Sequence, residues 1–284
     1  DWESVERWLA VLPSRLLSQR LDCKGVLRQS DGRDIIDWPI CERDGYELGE
    51  ANLVPNCYRY AALNAMADLT GNPAYAEEAR QARRVIRQGF FRDGVWRDQL
   101  DSDHSSLHGA MFAQAFGLTD PAEFPAVLEF LARRGMRCSV YGAQFLLEAL
   151  GTLHATPLML DYLRADHERS WLGMLSAGST ITMEAWNNGV KPNQDWNHAW
   201  GAAPANILTR WVAGIRPTAP GFDAFVVEPQ PGGLEWLRCR QPTRHGAIEL
   251  EYGSGKIALT VPHGTAGRIG NTSYGPGRHA ILIA

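Results

Sequence analysis

The segment Arg216-Pro217-Thr218-Ala219-Pro220-Gly221 separates two stretches of sequence whose periodicities demand different architectures. Two prolines remove backbone donors and a glycine loosens the chain, so the break reads as a domain edge. Upstream, apolar residues recur at helical spacing: Val5, Trp8, Leu9, Leu12 and Leu16 over 3–20, then Leu53, Tyr60, Ala61, Leu63 and Met66 over 50–70. Gly71-Asn72-Pro73 stops that second helix and starts another over 74–89. Further helices are expected over 105–116, 121–133, 139–151, 156–165 and 203–213, paired through short turns with hardly a strand among them. Downstream, the runs 224–229, 248–252, 257–262 and 280–283 are short, β-branched and set apart by Gly and Pro, which predicts antiparallel strands. The expected fold is mainly α over 1–216, followed by a small antiparallel β-sandwich over 217–284. No repeat of 20–50 residues argues for a solenoid.

Composition narrows the class of partner. Lys and Arg together number 28 against 32 Asp and Glu, a net charge of −4, so no basic surface is offered to a nucleic-acid backbone. No apolar run approaches the ~20 residues that span a bilayer, so no membrane partner is expected. The opening Asp1-Trp2-Glu3-Ser4 is not a secretion leader, so the chain is expected to begin after processing or partway into a longer protein. Five cysteines at wide spacing show neither a Cys-x-x-Cys pair nor a disulfide framework. The eight histidines are scattered, with only His104 and His108 standing four residues apart, and neither metal nor cofactor is expected. The acids of 34–50 lack the alternate-position spacing of an EF-hand loop. Oligomeric state and compartment leave no mark in the sequence.

Chemistry concentrates in 180–201. There Thr180-Ile181-Thr182-Met183-Glu184-Ala185-Trp186 is joined by a Gly/Pro/Asn connector to Asp195-Trp196-Asn197-His198-Ala199-Trp200-Gly201. Two carboxylates, a histidine and three indoles in a poorly helical segment suggest a sugar site, because Trp offers a large apolar face with one polar handle. Glu184 is either a surface acid or a poised base whose carboxyl is tuned by the neighbouring Trp186. His198, between Trp196 and Trp200, is either a core histidine or a donor to a sugar hydroxyl. Asp195 either caps the helix near Ala202 or orients His198. A second cluster, Asp34 to Glu47, carries Asp37, Trp38, Glu42, Arg43 and Asp44 and is either a solvated acidic turn held by Arg43 or, given the apolar Trp38-Pro39, more than a solvated loop. The loop from Asp98 to His104, with Ser105 and Ser106, reads as capping for the following helix.

These motifs, in this order, resemble the family-78 glycoside hydrolases, the α-L-rhamnosidases. The resemblance rests on Asp37-Trp38-Pro39, Asp44-Gly45-Tyr46, Ser139-Val140-Tyr141-Gly142, the 180–186 and 195–201 stretches, Gly214-Ile215-Arg216-Pro217 and Leu259-Thr260-Val261-Pro262, and it covers nearly the whole chain. It implies an (α/α)6 barrel of six helical hairpins with a C-terminal β domain, and inverting hydrolysis of terminal α-L-rhamnosides. It places the general base on Glu184 and substrate contacts on Asp37, Trp38, Arg43, Tyr141, Trp186, Asp195, Trp196, His198 and Trp200. The family's acid lies in an upstream Asp-Cys-Pro-x-Arg-Glu segment absent from this sequence, which leaves Glu42 and Asp44 as substitutes. The chain is thus expected to be the second half of the barrel plus the β domain. By analogy with the family, an extracellular or periplasmic setting follows. A different glycosidase or lyase on the same scaffold, or a non-catalytic carbohydrate-binding homologue, are the competing readings.

Overall fold

The computed structural model describes Arg7, residues 21–29 and residues 34–282. The helix expected over 3–20 lies, apart from Arg7, outside these residues, as does Ile283 of the last expected strand. The chain forms two compact units, Asp1–Ala149 with Asn188–Asn193, and Leu150–Asn187 with Gln194–Ala284.

In the first unit, α1 (Leu53–Thr70) ends at Gly71, whose φ of 64° reverses the chain. The Asn72 side chain accepts from the Ala74 amide at 3.0 Å, and Pro73 takes the first position of α2 (Pro73–Phe90). Each residue of Gly71-Asn72-Pro73 thus performs the end, cap or start that its chemistry favours. Ala79, Ala82, Ile86 and Phe90 form the buried stripe of α2, spaced as a helix face requires. A tight hairpin, β1 (Phe91–Arg92) with β2 (Val95–Trp96), turns through Asp93 and Gly94, both at positive φ. It leads to α3 (Leu107–Ala115), α4 (Phe124–Arg134) and α5 (Gly142–Thr152).

The first turn of α3 is capped by Asp98 of the expected loop and, in addition, by Asp44 from outside it. Ser106 stands at the N-cap without a side-chain bond, while Asp98 Oδ1 accepts from the Ser106 amide and Asp44 Oδ2 from the Leu107 amide, each at 2.8 Å. A carboxylate at a helix N-terminus satisfies orphan amides and opposes the macrodipole. Asp98 also accepts from the Glu47 amide and lies 2.6 Å from His104 Nδ1, so one buried side chain ties three strands of loop together.

In the second unit, α6 (Thr156–Arg164) precedes α7 (Trp171–Ser176), which is capped by Ser170. At six residues, α7 is too short to show a period. Further on, α8 (Ala203–Ile207) continues into a π-helical turn over Leu208–Val212. Eight strands follow: β3 (Ile215–Pro217), β4 (Ala224–Val227), β5 (Trp236–Thr243), β6 (Gly246–Gly253), β7 (Lys256–Val261), β8 (Ala266–Ile269), β9 (Thr272–Tyr274) and β10 (Gly277–Leu282). They build two four-stranded sheets, β10-β7-β6-β5 and β3-β4-β8-β9. Along β7 burial alternates, with Ile257, Leu259 and Val261 inside, as one covered sheet face dictates. Two features differ from the sequence reading: β3 already pairs within the Pro-rich break, and β4 runs parallel to β8. The parallel pair arises because β8 enters the second sheet from β7 of the first instead of folding back on β4.

No helix among the described residues is long and apolar enough to cross a membrane. All five cysteines are free. Gly214, at φ 72°, lies so close to its neighbour that an added Cβ would stand 2.0 Å from the Glu228 carbonyl oxygen, whereas Gly255, also at φ 72°, has open space around it. Gly255→Ala should therefore cost only the left-handed penalty of about 1–2 kcal/mol, and Gly214→Ala about 3 kcal/mol or more, since backbone must also move. Urea midpoints of the two variants test this, and equal losses would contradict the close approach at Gly214.

Candidate active site

The acidic loop of the first unit is organised by a buried carboxylate. Asp37 is 4% exposed. Its Oδ1 accepts from Ser139 Oγ at 2.5 Å and from the Trp38 amide at 2.8 Å, and its Oδ2 accepts from the Ser139 amide at 2.9 Å. His108 Nε2 lies 2.8 Å from the same Oδ2, which makes Nε2 the protonated nitrogen. Four donors around one carboxylate are what burial of the charge requires. The Asp37 carboxylate thus fixes the loop, and it is buried where the resemblance expects a substrate contact.

Around it, Arg43 donates through Nε to the Asp37 carbonyl at 2.8 Å and braces the turn. The Tyr46 hydroxyl donates to the Asp98 carbonyl, and burial, then the Asp98 charge, push that phenol well above its ordinary range. Glu42 closes a short 3-10 turn, Ile40–Glu42, and is 1% exposed. The Asp44 side chain is 2% exposed, holds the Leu107 amide, and sits 3.5 Å from Arg134 and 3.4 Å from Arg137. Both acid candidates are thus buried side chains.

What this loop does expose is aromatic. Trp38 is 51% exposed and follows directly on the anchored Asp37. Tyr141, two residues beyond Ser139, is also exposed and packs edge-on against Phe145 at 5.6 Å. Tyr58 joins it, with burial and then the hydrogen bond to Tyr141 raising the Tyr58 phenol far above its ordinary range. Sequence reasoning passed over His108 and Tyr58. A lone histidine in the apolar run Leu107-His108-Gly109-Ala110-Met111-Phe112 was the available signal, since a buried imidazole needs a partner.

In the second unit, the two halves of the 180–201 stretch are strapped together. Thr182 takes the His198 amide on its carbonyl and donates its hydroxyl to the His198 carbonyl, both at 2.8 Å. The Glu184 amide donates to the Asp195 carbonyl at 2.9 Å, and the Asp195 amide returns to Glu184 Oε2 at 3.0 Å. Trp200 Nε1 donates to the Glu184 carbonyl at 2.9 Å, and His198 packs edge-on against the Trp200 ring with centroids 4.4 Å apart. Glu184 is half-buried, Asp195 is exposed, and Trp196 is 42% exposed. The strap thus brings Glu184, Asp195, His198 and Trp200 together without regular secondary structure. Trp186 does otherwise: it is 1% exposed and meets Trp171 edge-to-face at 5.1 Å. Its indole packs in the core, where the resemblance expects a substrate contact.

Among the described residues, no three His, Cys, Asp or Glu side chains converge as a metal ion requires. The arrangement can hold a half-exposed carboxylate in fixed orientation and offer indole faces to a ring.

Two family models match the chain. The bacterial alpha-L-rhamnosidase 6 hairpin glycosidase domain covers residues 1–212, and the bacterial alpha-L-rhamnosidase C-terminal domain covers residues 214–270. No curated protein sequence matches. Among solved structures, the native α-L-rhamnosidase of Aspergillus terreus superposes with a TM-score of 0.80 at 16% identity, over 99% of this chain and 36% of that one. The Streptomyces avermitilis α-L-rhamnosidase complexed with L-rhamnose gives 0.72 at 18% identity, over 94% of this chain and 26% of that one. The GH78 family rhamnosidase of Bacillus sp. GL1 gives 0.69 at 22% identity, over 96% and 32%. This chain thus spans about a third of the length of these rhamnosidases and shares their fold across nearly all of its own. With three quarters of its residues matched by one model, the chain belongs to the bacterial α-L-rhamnosidase six-hairpin glycosidase family.

Proposed function

We propose that this chain carries the base half of an inverting α-L-rhamnosidase, with Glu184 activating the water that attacks the anomeric carbon of a terminal α-L-rhamnosyl residue. The observation that carries the reading is the strap around Glu184. A base must be ionised, reachable and held still. Glu184 is half-exposed, its Oε2 takes the Asp195 amide, and its own amide and carbonyl are fixed by Asp195 and Trp200. An amide donor is a partner that favours a carboxylate over a carboxylic acid. His198, locked to Thr182 in the same strap, presents an imidazole to a sugar hydroxyl, and Trp196 exposes an indole suited to a pyranose face.

Inversion needs a second, protonated carboxyl about 6.5–9.5 Å from the base, leaving room for water. Burial argues against Glu42 and Asp44 in that role, and Asp44 is also engaged by an amide and two arginines. The acid is assigned to sequence outside this chain. Substrates of the rhamnosidase that contains it are expected to be carbohydrates ending in rhamnose.

In the intact enzyme, Glu184→Gln should lower turnover of an aryl α-L-rhamnoside by about 10²–10⁴-fold, the usual contribution of a general base, and leave rhamnose binding within about threefold. Undiminished turnover removes Glu184 from the mechanism. His198→Ala should raise KM for the same substrate by about tenfold, the loss of one hydrogen bond to a sugar hydroxyl, while the pH profile keeps its shape. An unchanged KM would return His198 to a packing role.

The burial of Glu42 and Asp44 also favours a second reading, that the chain by itself binds rhamnosides without cleaving them. Titration of the isolated chain with rhamnose, beside an assay on the aryl rhamnoside, decides this. Binding with no turnover supports the second reading, and turnover at the intact enzyme's rate rejects it together with an external acid.

A further inference from the structure

At the end of α4 the first unit holds a cleft of about 300 Å³ lined by Phe130, Arg133, Arg134 and Arg137. Three guanidiniums converge there because Gly135, at φ 67°, ends the helix and turns the chain so that Arg137 comes back beside the last helical turn. The helix dipole accounts for Arg133 and Arg134, which lie in that turn, but not for Arg137 beyond it.

The carboxylates that reach these three arginines are few. Asp44 stands at 3.5 Å from Arg134 and 3.4 Å from Arg137, and Glu129 at 3.9 Å from Arg133. Three positive charges therefore meet two negative ones. Asp44 is in addition occupied by the Leu107 amide. Arg134 is held in place: it donates to the Ser105 carbonyl at 2.6 Å, and its guanidinium lies 5.1 Å from the centroid of the Phe130 ring. Arg133 and Arg137 are 68% and 62% exposed and keep most of their donors turned to water. A rigid guanidinium flanked by two adjustable ones is an arrangement that recognises an oxyanion through forked hydrogen bonds. The volume is at the lower end of the ligand-site range of about 300–1,000 Å³ and leaves room beside an oxyanion for part of the group that carries it.

We infer that the Phe130–Arg137 cleft binds an oxyanion carried on a carbohydrate, either the carboxylate of a uronic acid or a sulfate ester, as part of an acidic glycan substrate. The identity of the carrier rests on the rhamnosidase reading; the charge of the ligand rests on the cleft alone. The Asp34–Glu47 loop, which holds Arg43 as its one arginine, is bounded through Asp44 by two more.

The test is titration of the full chain with D-glucuronate, glucose 6-sulfate, glucose and inorganic sulfate at low ionic strength, with rhamnose as an independent ligand. The variant is the double substitution Arg133→Gln with Arg137→Gln, which leaves Arg134 and its structural bonds in place. Affinity for glucuronate or glucose 6-sulfate should exceed that for glucose by at least tenfold and fall at least fivefold in the double variant, while rhamnose binding stays unchanged. Which of the two acidic sugars binds more tightly assigns the anion. Equal affinity for glucose and the acidic sugars, or no loss in the variant, overturns the inference. Inorganic sulfate binding as tightly as the acidic sugars overturns the carbohydrate assignment. Loss of rhamnose binding in the unsubstituted chain, with the acidic sugars still bound, would fault the rhamnosidase reading and leave the cleft standing.

Discussion

The first unit depends on a charge placed where water cannot reach it. Moving a lone carboxylate from water into a protein interior costs several kcal/mol even after relaxation, so Asp37 is stable only while Ser139, His108 and the Trp38 amide all point at it. Those groups come from a loop, from α3 and from the approach to α5, and the carboxylate gathers them into one arrangement. The closeness is backed by Gly142, where a Cβ would stand 2.6 Å from Asp37 Oδ2. Removing one donor leaves the others around an uncompensated charge, so the loop holds its shape as a whole. The exposed ring of Trp38 inherits that rigidity because it is the next residue.

The second unit solves a similar problem with backbone groups and three side chains, those of Thr182, Glu184 and Trp200. Between Thr182 and His198 the chain has no helix or strand, yet amides and carbonyls of both halves answer one another through Thr182, Glu184, Asp195 and His198. A side chain mounted on such a segment is held nearly as firmly as one on a sheet, while the irregular path lets Glu184, Trp196 and His198 face outward at unequal spacing. Beneath them, Trp171 and Trp186 meet ring to ring and fill the core. One indole of the expected site is thus part of its foundation.

Much of this was legible in the sequence because it rests on short-range rules. Gly71-Asn72-Pro73 marks a helix end and a helix start by chemistry that needs no tertiary context, and the alternation in 257–262 marks a one-sided strand. What escaped notice was short or long-range. The hairpin of β1 and β2 and the six residues of α7 are too brief to show a period. The parallel pairing of β4 with β8 depends on a crossover between sheets. Within the site, residue type alone could not tell Trp186 from Trp196, one sealed and one open, nor Asp37 from Asp195. Burial made those distinctions, and burial is set by neighbours distant in sequence, such as Ser139 for Asp37 and Trp171 for Trp186.

The capping of α3 carries a further consequence. The carboxylate that receives the Leu107 amide belongs to Asp44, 63 residues earlier in the chain, not to the residue preceding the helix. The helix cannot complete its own beginning, so its first turn is sealed only once the acidic loop has docked. The exchange of that single proton with deuterated solvent accordingly reports on the loop opening and closing, separately from any fraying of the helix itself.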